Sequence, residues 1–168
     1  PFDIRDYKLK VSGVTEFPEE FQLSKLPRVT NQYTVPDCVA HALSACFSYF
    51  NIIQNDVDEK FSFTFIYGNR RNSLHEGDGM FLRDAVKNAL HFGDCYYSQL
   101  PGNIDVKDAI SAFEENFPDV ENDAYAHRIT KFFTAKKENV IKTAIMNGCP
   151  VIISIPWYND IKYKNGIL

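Results

Sequence analysis

The sequence contains no CxxC pair and no Cys/His cluster at zinc-ligand spacing, and its four cysteines (Cys38, Cys46, Cys95 and Cys149) stand far apart. Neither a metal nor a cofactor is expected. No apolar run approaches the roughly 20 residues that span a bilayer, and the N-terminus has neither a basic start nor an apolar signal core. No membrane association is therefore expected. Basic residues form no stripe: apart from Arg70-Arg71 and Lys136-Lys137 they are scattered, and the net charge is −4. Nucleic acid is excluded as an expected partner. Internal repeats and low-complexity runs are also missing.

What is present is a core. At 168 residues and 45% hydrophobic content, with 14 Phe and 9 Tyr, the chain is long and apolar enough to fold as an ordinary domain without a disulfide or metal staple. The cysteines lie in apolar contexts such as "SACFS", "FGDCYY" and "NGCPV". Two disulfides would fit an oxidising compartment, but free thiols are the favoured reading. Because the chain begins with Pro1, trimming from a longer precursor is compatible with it.

Residues 1–27 lack a clear period and are expected to lie as an extended arm. The first strong helix follows Pro36, with Asp37 as N-cap and a stripe of Ala40, Leu43, Phe47 and Phe50. Further helices are expected at "SFTFIYGNRRN", at "MFLRDAVKNALHFG" with Gly93 as the stop, at residues 105–117 and at residues 138–147. Phe61, Phe63, Phe65 and Tyr67 alternate like a strand but are read as a helical core wall. The β-branched segment "PVIISIPWY" predicts a strand. Helices followed by a β segment predict an α+β protein with segregated layers.

One stretch carries chemistry. In "TNQYTVPDCVAHA", Cys38 falls at a helix start, where free N–H groups and the helix dipole favour a thiolate. Gln32, six residues earlier, can return across a tight turn to place an amide beside the Cys38 N–H as a second oxyanion donor. The competing reading is a small buried residue at the start of a core helix.

These residues resemble the nucleophile segment of papain-like (cathepsin-like) cysteine peptidases, in which an Asn-Gln pair precedes the catalytic Cys at this spacing. "FPEEFQLSKLPRVTNQ" is similar to the mature start of that family. "FIYGNRRNSLHEGDGMFLRDAVKNALHFGDCYYSQLP" resembles its microbial/viral branch, and "VIKTAIMNGCPVIISIPWY" resembles the helix, turn and first strand that open its β-rich second domain. The matches run in order over residues 17–168. The resemblance implies an N-terminal arm (1–16), a complete helical domain (17–137) and the start of a β-rich domain (138–168). It makes Cys38 the nucleophile and Gln32 the oxyanion-hole side chain, with Gly79 and Met80 pairing with substrate backbone and Phe81 near a specificity pocket. Met80 replaces a Gly common in the family, Val39 replaces a Trp, and Val35 stands where a disulfide-forming Cys is usual. The last difference favours a reducing, cytoplasmic compartment.

In this family the catalytic His and its orienting Asn follow the first β strand, and no His follows His127. The resemblance therefore implies a cysteine endopeptidase whose base lies beyond residue 168 or on a second chain that completes the β domain, so that the 168 residues alone are not competent. The alternative is an inactive relative that binds peptides or a protein partner. His41, His75, His91 and His127 are read as structural, His41 because the family has a buried apolar residue there.

Overall fold

The computed structural model describes residues 16–72, 75–102 and 104–155. Helix α1 spans Cys38–Asn55. Its apolar stripe of Ala40, Leu43 and Phe47 is buried as expected, but a second stripe of small polar residues, His41, Ser44, Ser48 and Asn51, is buried beside it. Ser48 Oγ accepts the Phe61 N–H at 3.2 Å, and Asn51 Nδ2 donates to the Val57 carbonyl at 3.2 Å. These bonds pin the chain leaving α1 back onto the helix. Asp56 takes the left-handed conformation (φ 57°) that ends α1.

Helix α2, Phe63–Gly68, follows and is capped by Ser62, whose Oγ accepts from Phe65 N at 3.0 Å and donates to Leu100 O at 2.6 Å. All six residues of α2 are buried, so the alternating aromatics form a core wall. A 3-10 turn, Asn69–Asn72, completes the segment. Helix α3 spans Leu82–His91, and Gly93 (φ 75°) supplies the expected stop. A Cβ on Gly93 would fall 1.8 Å from the Ala124 carbonyl, so only glycine fits there.

Helix α4, Val106–Ala126, is capped by Asp105 and is longer than the expected 105–117 because it continues through Pro118. The carbonyl that loses its helical donor belongs to Glu114, which is exposed to water, so the usual cost of an internal proline is reduced. Beyond it, buried Val120 and Ala124 extend the stripe set by Ala109 and Phe113. Helix α5 spans Glu138–Met146, and Gly148 (φ 76°) follows.

The helices enclose two apolar clusters. Ala40, Leu43, Phe47, Phe61, Phe63 and Met80 belong to one; Phe65, Leu100, Phe113 and Val120 belong to the other. Residues 16–29 have no helix or strand, as expected for an arm; the rest of it lies outside the described residues. This arm is tied down by Lys25–Asp56 (2.6 Å) and Arg28–Asp58 (3.2 Å), and Phe17, Pro18 and Phe21 line a groove with Ile145 and Met146.

The β part of the expected fold is the main difference. Among the described residues no strand is formed, and the β features are single bridge positions: an antiparallel bridge between Phe61 and Tyr96, and Thr134. Residues 151–155 form no strand, and Ile153 and Ile155 are exposed. An extended segment needs a neighbouring ladder to become a strand, and none of the described segments provides one. The remainder of "PVIISIPWY" lies outside the described residues.

Two tight features give measurable expectations. A Cβ on Gly68 would sit 2.2 Å from the Ala109 carbonyl of α4, so Gly68→Ala should lower the unfolding free energy by about 1–3 kcal/mol in urea titration. Asp94 is fully buried; burial, with Asp123 adding to it, lifts its carboxyl well above the ordinary value of 3.8, while the N–H groups of Cys95 and Ser62 oppose the shift. The folded state thus holds a proton that the unfolded chain releases, and the stability from this group is complete below pH 3.8 and lost as pH rises through the folded value. Asp94→Asn should leave stability at pH 3 unchanged and raise it at pH 7 by about 1–3 kcal/mol.

Candidate active site

Cys38 is the first residue of α1, and its thiol is exposed. That exposure rules out the buried-core reading. The first intrahelical bond runs from His41 N to Asp37 O at 3.0 Å, so the preceding N–H groups stay at the positive end of an 18-residue helix. The other thiols divide by burial. Cys149 is exposed, Cys46 is half-buried and Cys95 is buried; burial pushes the Cys46 thiol up to about 12, and burial, aided by the nearby Asp94 and Asp123, pushes Cys95 higher still. All four cysteines are free.

Gln32 opens a tight turn toward α1. Val35 N donates to Gln32 O at 3.0 Å, and Gln32 Nε2 donates back to Val35 O at 2.9 Å. Tyr33 holds a left-handed φ of 50° within this turn, with its N–H on Asn31 Oδ1 at 2.8 Å. The Gln32 amide carries two N–H groups, one of which is engaged by Val35 O.

Asp37 occupies the expected N-cap position, but its side chain makes no cap hydrogen bond. The carboxylate turns inward instead, 1% exposed, and its Oδ2 lies 3.3 Å from His41 Nε2. The angle does not suit a hydrogen bond, so the contact is electrostatic. On the other side of the same ring, His41 Nδ1 meets Thr30 Oγ1 at 2.6 Å, and the ring stacks on Phe63 at 3.9 Å. His41 is buried, as expected for its position, yet it links two polar groups rather than filling space. The i,i+4 spacing of Asp37 and His41 was the available sequence signal.

The loop carrying Gly79, Met80 and Phe81 is held from below by α2 and the turn after it. Tyr67 Oη donates to the Asp78 carbonyl at 2.6 Å, and Arg70 Nη2 donates to the Gly77 carbonyl at 2.6 Å. Burial raises the Tyr67 phenol, against the pull of Arg70, which keeps the hydroxyl a donor. The Met80 side chain is buried among Ala40, Leu43 and Phe63, so the loop presents its backbone and the 41%-exposed Phe81 ring to solvent. His75 packs edge-on against Phe81 at 4.7 Å and so close to Gly79 that a Cβ there would lie 2.9 Å from the ring. Tyr67 and Arg70 were not singled out from the sequence, because a buried helix wall looks alike whether or not its polar tips are used.

The other two histidines lie at helix ends. His91 is exposed at the end of α3, and His127 caps α4 with its ring edge-on to Phe61 and Tyr96. Among the described residues no group of three His, Cys, Asp or Glu could hold a metal, and no helix is long and apolar enough to cross a membrane.

No family model matches the chain, and no curated protein sequence matches it. A solved structure does. Xylellain, a cysteine protease from Xylella fastidiosa, superposes with a TM-score of 0.75 at 22% identity, covering 95% of this chain and 72% of its own. This chain has a cysteine-protease fold.

The division of thiols can be read directly. Iodoacetamide at pH 8 should modify Cys38 and Cys149 in the folded chain, modify half-buried Cys46 more slowly and reach Cys95 only after unfolding, as peptide mass spectrometry would show.

Proposed function

We propose that the chain carries the nucleophile half of a papain-like cysteine endopeptidase. The observation that carries this reading is the exposed Cys38 thiol at the start of α1, with the Gln32 amide folded across the preceding turn, in a chain with a cysteine-protease fold. The Cys38 thiolate attacks the scissile carbonyl, and the oxyanion is held by the Cys38 N–H and the other side-chain N–H of Gln32. An imidazolium then gives its proton to the departing amine, leaving an acyl-thioester that water hydrolyses to regenerate the thiol. In the proposed enzyme that imidazole, with its orienting Asn, lies beyond residue 168 or on a second chain, and residues 138–168 begin the β-rich domain that holds it. His41 does not fill the role, because its two nitrogens face Thr30 and Asp37.

The substrate is a peptide or protein chain in extended form. Its backbone pairs with the loop at Gly79 and Met80, and a side chain lies against Phe81. Burial of the Met80 side chain supports this assignment, since it leaves the outer side of the loop to the backbone.

The test is turnover of a dipeptidyl fluorogenic substrate. The product of the full reading frame should hydrolyse it, and Cys38→Ala should abolish the activity. Gln32→Ala should lower kcat by about 10²–10³ with little change in KM, the pattern of a group that acts on the transition state. Peptide binding without turnover by the intact product would replace this reading with that of a non-catalytic peptide-binding relative.

A further inference from the structure

Thr30, Asp37 and His41 bracket the two residues to which the preceding reading gives chemistry. Thr30 lies two residues before Gln32, and Asp37 is the immediate neighbour of Cys38. One imidazole joins them, with Nδ1 2.6 Å from Thr30 Oγ1 and Nε2 3.3 Å from Asp37 Oδ2. The ring is 8% exposed and stacks on Phe63, so its place is set by the core of the protein and not by the loop it braces.

The physical need for such a brace is evident in the chain between. From Thr30 to Asp37 there is no helix or strand, Tyr33 sits at a positive φ, and the Tyr33 and Val29 side chains are largely exposed. Within that segment the bonds joining Gln32 and Val35 close only a four-residue turn. They fix its shape and not its position relative to α1. Asp37 adds a second requirement. Its carboxyl, 1% exposed and with Oδ1 lacking a hydrogen-bond partner among the described residues, is a buried polar group short of partners in the residue next to Cys38. The Nε2 of His41 is the group that faces it.

We infer that His41 is a positioning residue: its imidazole clamps Thr30 to Asp37, and so sets the Gln32 amide against the Cys38 thiol while facing the buried Asp37 carboxyl. The inference rests on the reading of Cys38 as nucleophile, but it concerns thiol reactivity and can be tested without turnover. In the neutral ring the Thr30 hydroxyl donates to Nδ1 and Nε2–H faces the carboxylate, and in the charged ring both nitrogens present hydrogens. Either form serves the clamp.

The thiols provide the assay. The rate of iodoacetamide labelling at Cys38 is measured against Cys149 in the same molecules, while buried Cys95 reports whether the fold is intact. His41→Ala should lower the Cys38:Cys149 rate ratio at least threefold with Cys95 still protected. His41→Asn, which keeps a hydrogen-bonding atom near the Nδ1 position, should recover at least half of the loss. Thr30→Val should lower the ratio by itself and add nothing in the His41→Ala background. An unchanged ratio in His41→Ala, or a full additional loss from Thr30→Val on top of it, would overturn the clamp. Should His41→Ala expose Cys95, Thr30→Val alone decides, and an unchanged ratio there is the overturning result. Equal labelling of Cys38 and Cys149 in the unmodified chain would instead count against Cys38 as an activated nucleophile, a separate failure.

Discussion

Six residues without an exposed side, Phe63–Gly68, hold the rest of the structure in register. A helix this short has little stability of its own, since nucleation consumes most of what its few hydrogen bonds return. Its persistence comes from burial on every side, and each side carries a different connection. Phe63 stacks under His41 of α1, Phe65 packs edge-on against Phe113 of α4 at 5.0 Å, and Gly68 lets the α4 backbone approach at Ala109. Tyr67, followed by Arg70, reaches up to the carbonyls of the Gly79 loop. Helix α1 and the proposed substrate loop are thus fastened to one another through α2, although 40 residues of sequence lie between Cys38 and Gly79.

The sequence exposed the helical skeleton well because α1, α3, α4 and α5 each bury an apolar stripe at helical spacing and end at recognisable residues such as Gly93 and Gly148. The helix expected at residues 105–117 runs on through Pro118 to Ala126. The proline removes one helical donor, at an exposed residue, while Val120 and Ala124 continue the buried stripe. The second stripe of α1 was overlooked. His41, Ser44, Ser48 and Asn51 have the composition of a solvent face, and what makes them interior is a set of partners: Thr30 for His41, the His41 carbonyl for Ser44, and the backbone of Phe61 and Val57 for Ser48 and Asn51. Apart from the local bond of Ser44, these partners arise from tertiary structure and leave no periodic trace.

The candidate site was half legible for the same reason. The helix start at Cys38 and the tight turn at Gln32 were legible because they are local, and both are formed. The Asp37 side chain was expected to cap the helix and instead faces inward, since His41 one turn later and Thr30 across the gap give it a buried electrostatic setting. The strand at residues 151–155 depends on neighbours in space, and no described segment pairs with it.

The group of Thr30, Asp37 and His41 is a poor choice if stability alone is considered. Burying a carboxylate and an imidazole costs more desolvation than their attraction returns unless geometry is ideal, and well-packed apolar residues of similar volume are commonly neutral or more stabilising. Here the geometry is not ideal, for the 3.3 Å contact is poorly aligned and Asp37 Oδ1 has no hydrogen-bond partner among the described residues. An apolar residue stacked on Phe63 would fill the same volume, but it would leave Thr30 and the turn after it with no directional tie to α1. Hydrophobic contact tolerates sliding by an ångström or more, whereas a 2.6 Å bond between a hydroxyl and a ring nitrogen does not. The stability forgone at this point of the core is exchanged for a fixed distance between two short segments, and those segments hold the amide and the thiol.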